Sequence, residues 1–217
     1  MKLTKYTHSC VRIESGDRRL AIDPGIFSEV AEACEGVDAV LITHQHVDHI
    51  DAAAVAKLAT NNSNLQLWGP KDIIDELAKV EAFDGRLNTV GPGQAFIAAG
   101  LQVRTYGGQH ALIHSSVPVV SNIAYLVGDA IYHPGDSYTV PNASVEVLLI
   151  PTNAPWAKAS ETYDFAVSVR APKAFQIHDA LLTEAGTQVY ENHLLRASEF
   201  YHTTEFAHLT PKQTVDL

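Results

Sequence analysis

The stretch HQHVDH, from His44 to His49, holds three histidines and one aspartate within six consecutive positions. It follows a continuous apolar run, residues 39–42, that is typical of a buried strand, and it leads into an alanine-rich stretch that Asp51 can cap as a helix. With 11 histidines and 13 aspartates among 217 residues, chance would produce this pattern about 0.002 times in such a chain. The stretch therefore predicts a metal site at a strand-to-helix junction, where functional loops gather.

The spacing within this stretch distributes the side chains over two neighbouring points. In an extended chain the side chains of His44 and His46 point the same way, so both can bind one cation. The turn into the helix then directs Asp48 and His49 toward a second point nearby. Imidazole and carboxylate ligands together suit zinc, and also iron or manganese.

Four residues cannot complete two metal sites, and three more candidate ligands follow strand-like segments. His110 comes after a Gly-Gly-Gln turn, Asp136 after a Pro-Gly turn, and His178 after the apolar run 174–177. Each histidine alone is more typical of a hydrogen-bonded structural residue. Together, at the ends of separate strands, they supply the missing ligands, and the carboxylate of Asp136 can bridge two cations.

The composition is that of an ordinary globular protein, with 46% hydrophobic and 18% charged residues. The formal net charge is −10 and no dense run of Lys or Arg occurs, which argues against a nucleic-acid partner. No apolar run has the length of a membrane-spanning helix, and the first residues lack the apolar stretch of a signal peptide. Cys10 and Cys34 are too few for a disulfide framework. We therefore expect a cytoplasmic protein with reduced thiols and a small-molecule substrate.

Strand signals dominate the chain and helices intervene only in places, which favours mixed β-sheets with helices packed outside. No linker splits the chain, so we expect one domain over residues 1–205 and a loose tail over residues 206–217. The predicted strands cover residues 3–6, 10–14, 19–22, 39–42, 65–68, 101–106, 122–127, 130–133, 145–150 and 174–177. The predicted helices cover residues 51–58, 72–79, 160–169 and 186–200.

In family order, these pieces resemble the metallo-β-lactamase superfamily from about His8 to about His178. The resemblance implies a four-layer αββα sandwich, in which two mixed β-sheets carry helices on their outer faces and the metals lie at one edge of the sheets. The first metal would be held by His44, His46 and His110. The second would be held by Asp48, His49 and His178, with Asp136 bridging the two. Asp23, in the stretch 21–25, would orient the ligands from behind them.

Within the superfamily, the sequence is most similar to the ascorbate-6-phosphate lactonase-like and related metal-dependent hydrolases. The stretch 7–10 is similar to their N-terminal Gly-His-Ser element, with Thr7 in place of the usual glycine. His133 and the adjacent pair His178 and Asp179 also resemble that branch. Asp51 stands where thioesterase-like members usually have glycine, which argues against a thioesterase.

The ligand set and the resemblance predict a hydrolase. A hydroxide held between two divalent cations, with zinc as first choice and manganese or iron as alternatives, would attack an ester, a lactone or a phosphodiester. Asp48 and Asp136 would be the catalytic carboxylates, while the candidates for contacting substrate or donating a proton are His8, His114 and His133.

Two other functions stay open, a di-iron oxidoreductase and a non-catalytic metal-binding module. The oligomeric state is open as well, a homo-oligomer included. Trp156, in a loop after an apolar strand, is more typical of a packing residue than of a pocket wall.

Overall fold

Two seven-stranded β-sheets form the framework of the chain, in a computed structural model that describes residues 1–202 and 204–217. The first sheet starts as an antiparallel meander, in which Gly16 takes the positive φ of 61° at the turn between the second and third strands. It continues with parallel strands. Its strands are β1 (Lys2–Lys5), β2 (Val11–Ser15), β3 (Arg18–Ile22), β4 (Ala39–Leu41), β5 (Gln66–Gly69) and β6 (Leu87–Thr89).

The second sheet repeats this change from antiparallel to parallel pairing. Its first four strands pair antiparallel, and parallel pairing follows. Its strands are β7 (Ala95–Ala98), β8 (Leu101–Gly107), β9 (Ile123–Val127), β10 (Ile131–His133), β11 (Val147–Pro151), β12 (Lys173–Ile177) and β13 (Glu205–Ala207). The last strand, β14 (Thr214–Asp216), returns to the first sheet and pairs antiparallel with β1.

Two helices in the described part of the chain, the second and the fifth, begin at a side-chain N-terminal cap. The side chain of Asp51 accepts a hydrogen bond from the backbone N–H of Ala54 (2.9 Å), which confirms the predicted cap of the second helix. Among the described residues, no helix combines the length and the apolar character needed to cross a membrane. The helices are α1 (Val30–Ala33), α2 (Ala52–Asn61), α3 (Lys71–Leu77), α4 (Ala159–Val169) and α5 (Glu184–Tyr201), with a short 3-10 helix at Glu81–Phe83.

Alternation along the strands divides the core into three layers. Leu41 packs between the two sheets with Ile22 and Tyr125, whereas its neighbours Val40 and Ile42 pack on the opposite face of the first sheet, which α2 covers. The second sheet is covered on its outer face in the same way, by side chains of α4 and α5. Strands buried on both faces require continuous apolar runs, which is why 39–42 has one. The four-layer αββα sandwich is confirmed.

Every predicted strand and helix overlaps an observed one. Six short elements of the described residues were not predicted, namely α1, β6, β7, β13, β14 and the 3-10 helix at Glu81–Phe83. The prediction of a loose tail over residues 206–217 is wrong, because this stretch contains the end of β13, the buried side chain of Leu209, and β14. Main-chain pairing of β14 with β1 and packing of Leu209 between the sheets attach it to the fold.

The buried tail gives a direct prediction for stability. Leu209→Ala is expected to lower the free energy of unfolding by about 2–4 kcal/mol, because truncating a buried leucine leaves a cavity. The matched control is Leu195→Ala, which makes the same change on an exposed face of α5 and should cost about 0.5 kcal/mol or less. Urea unfolding of both variants measures the difference, and equal midpoints would mean that the tail does not contribute to the core.

Candidate metal centre

The predicted ligands lie together at one edge of the two sheets, because each follows the end of a strand. HQHVDH follows β4, His110 follows β8, Asp136 follows β10 and His178 follows β12. Possible ligand atoms converge in three overlapping groups, within which all atoms lie within 4.8 Å of one another. The groups are His44, His46 and His110; His44, His49 and Asp136; and His8, Asp48, His49 and His178.

Asp136 connects the groups. Its Oδ1 lies 3.1 Å from Nε2 of His49, and its Oδ2 lies 3.3 Å from Nε2 of His110 and 3.1 Å from Nε2 of His178. In the first group, Nε2 of His44 lies 3.0 Å from Nδ1 of His46. One carboxylate thus reaches imidazoles from both halves of the predicted site.

Four of these buried polar atoms have no hydrogen-bond partner among the described residues: Nε2 of His49, His110 and His178, and Oδ1 of Asp136. Each unsatisfied buried polar atom lowers the stability of the folded state by about 1–3 kcal/mol. Four of them at one point are therefore unfavourable in the protein alone. Divalent cations would satisfy all four, and imidazole nitrogen with carboxylate oxygen is a donor set that zinc accepts. The residues present therefore fit a metal site.

Hydrogen bonds on the far side of the rings set the tautomers. Nδ1–H of His110 donates to the carbonyl of Ala111 (2.6 Å), and Nδ1–H of His178 donates to the carbonyl of Asn153. Nδ1–H of His49 donates to Oδ2 of Asp23 (2.7 Å). With the proton held on Nδ1, the lone pair of Nε2 faces the other ligands, which is the arrangement that metal-binding histidines need.

Asp23 and Thr43 orient the ligands from beneath the site. The buried carboxylate of Asp23 accepts hydrogen bonds from the backbone N–H of Thr43 (2.8 Å) and from its hydroxyl (2.6 Å), besides the one from His49. The oxygen of the Thr43 hydroxyl lies 3.0 Å from Nδ1 of His44 and can accept a hydrogen bond from its N–H. Asp23 thus contacts the predicted ligand His49, and Thr43, which was not predicted, contacts both Asp23 and His44.

Burial and neighbouring charges set the protonation of the site. Burial, with the charge of His49 beside it, holds the pKa of His44 well below its usual value, and burial lowers the pKa of His46 as well. Burial raises the pKa of Asp136, but the positive charges of His49 and His178 outweigh it and hold that pKa well below the usual range. Neutral imidazoles and an ionised carboxylate are the forms that bind cations.

His49 differs from the other histidines. Burial opposes its protonation, yet the carboxylates of Asp136 and Asp23 on either side raise its pKa well above the usual value. The two carboxylates therefore favour a positive charge between them. A divalent cation would supply that charge in place of the proton.

The structure gives the three predicted substrate-contacting histidines different environments. Nδ1 of His8 accepts from the backbone N–H of Ala180 (3.3 Å), so its Nε2–H donates to Oδ2 of Asp48 (3.1 Å). Although burial raises the pKa of Asp48, this hydrogen bond and the charges of His49 and His178 lower it to about 2. His8 therefore orients a predicted ligand.

His133 and His114 do not contact the ligand cluster in this way. The buried ring of His133 accepts from the backbone N–H of Gly135 (3.1 Å) and donates to the carbonyl of Ser9 (2.9 Å), so both nitrogens are used within the fold. His114 is exposed and hydrogen-bonds Ser116. Both nitrogens of His133 are thus engaged within the fold, whereas only Nδ1 of His114 has a hydrogen-bond partner among the described residues, and a substrate contact for His114 stays a prediction.

Three of the eight described residues other than glycine that have a positive φ lie at this edge. The φ values are 67° at His8, 51° at Asp23 and 59° at His178. They lie in the left-handed region, which residues other than glycine seldom adopt. Such conformations cost about 1–3 kcal/mol each and occur mostly where function requires them.

Comparison with known proteins gives the family. The family model described as "Beta-lactamase superfamily domain" matches residues 2–178, which include every predicted ligand. The chain belongs to the metallo-β-lactamase superfamily. The Mycobacterium tuberculosis protein Rv0786c is 37% identical over 220 residues, covering 99% of each chain. A UPF0173 metal-dependent hydrolase of Aeropyrum pernix is 28% identical over 152 residues, covering 63% of this chain and 61% of that one.

Solved structures share the fold. Igni18, a metallo hydrolase of Ignicoccus hospitalis, superposes with a TM-score of 0.74 at 18% identity, covering 99% of this chain and 97% of that one. CmlA, a diiron β-hydroxylase of Streptomyces venezuelae, superposes with a TM-score of 0.78 at 13% identity, covering all of this chain and 54% of CmlA. The sandwich is thus common to proteins with different chemistry.

Trp156, which the sequence indicates as a packing residue, touches a predicted ligand of this superfamily member. The indole Nε1–H of Trp156 donates to Oδ2 of Asp136 (2.8 Å), and its ring lies 6.0 Å from that of His110. Trp156 is therefore part of the site as well as of the packing. The signal was its place after β11, since the loops after neighbouring strands carry the ligands.

The hydrogen bond from Trp156 gives a prediction for metal affinity. Trp156→Phe keeps an aromatic ring but removes the donor, and we expect zinc to bind about 10–100-fold more weakly, as for other groups that orient ligands. The control is Trp68→Phe, which removes the other tryptophan, stacked on Phe96. Competition with a chromophoric chelator measures both variants, and equal affinities for zinc would exclude this role for Trp156.

Proposed function

We propose that this superfamily member is a metal-dependent hydrolase that holds two divalent cations, with zinc as first choice. The proposal rests on one observation: three imidazole nitrogens lie around one carboxylate, and these nitrogens and an oxygen of that carboxylate are buried and have no hydrogen-bond partner among the described residues. We assign His44, His46 and His110 to one cation. We assign Asp48, His49 and His178 to the other, with Asp136 between the two.

We assign different roles in hydrolysis to the cations, to the two carboxylates and to His8. When bound, divalent cations make a nucleophile available from water near neutral pH and polarise a carbonyl or phosphoryl oxygen. Asp136 keeps its negative charge at any moderate pH because its pKa is held well below the usual range by His49 and His178 against the effect of burial. Asp48 has a pKa of about 2 and is therefore a weak base. We assign it to binding and orienting a cation rather than to accepting a proton. His8 fixes the carboxylate of Asp48 by donating to it.

The substrates we propose are small molecules with an ester, lactone or phosphodiester bond. The test is a panel of lactones, thioesters, phosphodiesters and phosphomonoesters, offered to protein loaded with zinc, manganese or iron. We expect about two metal equivalents per chain by elemental analysis, and turnover that chelation abolishes and metal restores. Less than one equivalent in carefully purified protein would contradict the two-cation proposal, and no turnover of any class would contradict the hydrolase.

The ligand set argues against the di-iron alternative. Five imidazoles and two carboxylates are a nitrogen-rich set, and nitrogen ligands suit zinc well. Bound iron with visible absorption after anaerobic purification would favour an oxidoreductase instead. A binding module without catalysis would bind metal at full occupancy and turn over nothing in the panel.

A further inference from the structure

Large apolar side chains stand exposed around the metal centre. They are between 39% and 61% exposed, although exposing such groups to water is unfavourable. Each belongs to a loop that also carries a ligand or a residue that orients one. They are Ile26, Phe27, Val47, Leu112 and Leu181.

Contacts connect these side chains to the ligands. The backbone N–H of Ile26 donates to the carbonyl of Val47 (2.9 Å), inside HQHVDH. The ring of Phe27 lies 5.3 Å from that of His8, which in turn lies 4.0 Å from the ring of His178. These residues therefore border the centre on the side of the second proposed cation.

The other two residues follow ligands closely along the chain. Leu181 comes directly after Ala180, whose N–H hydrogen-bonds His8. Leu112 is two residues beyond His110, and the ring of His110 lies 4.8 Å from that of His46. The exposed apolar groups thus lie on both sides of the ligand cluster, and we call the five residues the apolar rim.

The loops around the centre almost lack positive side chains. Lys158 is their one lysine or arginine, and its Nζ lies 3.9 Å from a carboxylate oxygen of Glu161. Lys5, on the neighbouring β1, is buried and its Nζ lies 2.9 Å from Asp179. Phosphate and carboxylate groups of ligands are commonly recognised by Arg or Lys. The loops span residues 6–10, 23–29, 42–51, 108–122, 134–146, 152–158 and 178–183.

We infer that the site takes an uncharged ester or lactone with an apolar acyl or aryl group, which lies against the apolar rim. Hydrolysis adds one water, breaks the acyl C–O bond and yields a carboxylic acid and an alcohol. The inference rests on the proposed function, and it selects carboxylic esters over phosphodiesters among the substrates of that proposal. The net charge of −10 agrees with it, because such a protein repels anionic substrates.

Chain-length dependence of turnover tests the inference. With zinc-loaded protein, kcat/KM for p-nitrophenyl hexanoate should exceed that for the acetate by at least about tenfold, since each fully buried methylene contributes about fourfold. Bis(p-nitrophenyl) phosphate should be the poorer substrate. Phe27→Ser and Leu181→Ser should each reduce the hexanoate-to-acetate ratio about threefold or more. A ratio near one in the wild type, or a preference for the phosphodiester, would overturn the inference.

Matched controls separate the rim from general surface hydrophobicity. Phe200→Ser and Ile97→Ser make similar changes at exposed positions on α5 and β7 and should leave the ratio as in the wild type. Sedimentation velocity of each variant tests whether the rim is instead an interface between two copies of the chain. If Phe27→Ser converts a dimer to a monomer and the ratio does not change, the rim is an interface between copies and the inference is wrong.

A binding measurement keeps this inference distinct from the proposed hydrolysis. Hexanohydroxamate should bind zinc-loaded protein at least about tenfold more tightly than acetohydroxamate in titration calorimetry, by the same methylene argument. Phe27→Ser should reduce that ratio. Chain-length-dependent binding without turnover of any ester would contradict the hydrolase and leave the apolar site standing. Equal affinities, or no binding of either compound, would overturn the apolar site.

Discussion

Asp136→Asn is expected to reduce kcat/KM about 10³-fold on whichever substrate the panel identifies, a loss typical of removing one preorganised electrostatic group. The variant should also retain one metal equivalent or less. The reason is that both oxygens of Asp136 lie within 3.3 Å of imidazoles from both halves of the site. A neutral amide supplies neither the charge nor the second acceptor oxygen that two cations share.

The control for this change is an aspartate outside the site. Asp129 is exposed and its carboxylate pairs with Arg104 at 2.7 Å. Asp129→Asn makes the same change in charge and should leave kcat/KM and metal content as in the wild type, because exposed ion pairs contribute little. Full activity of Asp136→Asn with two bound metals would show that Asp136 does not bridge.

Gly25→Ala is expected to lower the free energy of unfolding by at least about 3 kcal/mol, at the upper end for an overpacked site. A Cβ atom at Gly25 would lie 1.8 Å from the carbonyl oxygen of Asp48 and 2.0 Å from its carbon. The flanking residues hold the chain in place, since the carbonyl of Pro24 accepts from Asp51 and the N–H of Ile26 donates to Val47. The ligand loop must move to admit the methyl group, so zinc affinity should fall as well.

A second glycine in open surroundings provides the comparison. A Cβ atom at Gly91 would meet only the side-chain amide of Gln94, at 3.8 Å. Gly91→Ala should therefore change the free energy of unfolding by about 0.5 kcal/mol or less. Urea unfolding and zinc titration of both variants decide the matter. Similar stability and similar zinc affinity would mean that the close approach of Gly25 to Asp48 is unimportant.

The central part of the fold was readable because burial leaves a pattern in the sequence. The run 39–42 is apolar throughout because β4 is covered on both faces, and its end presents His44 and His46. The short strand β14 has no such pattern, since its side chains are exposed or half-buried and it is held by main-chain pairing with β1. Main-chain hydrogen bonds do not select side chains, so this strand was taken for a tail.

Candidate ligands were easier to propose from the sequence than the residues that contact them. A metal ligand must be one of a few residue types, whereas Thr43 and Trp156 act through hydrogen bonds to Asp23 and Asp136 that only the fold brings together. The histidines show the same limit. From the sequence, His8 and His133 had the same predicted role. Their hydrogen-bond partners distinguish them, since His8 donates to Asp48 and His133 connects the backbone at Ser9 and Gly135.

Two features at the edge of the sheets bear on thermal stability: the buried nitrogens without a partner among the described residues, and the left-handed backbone conformations. Both raise the free energy of the folded state and are absent from the unfolded chain. A cation that binds only the folded form stabilises it by about 2.7 kcal/mol at a hundred times its Kd. The heat resistance of this protein should therefore follow the amount of metal that its surroundings supply.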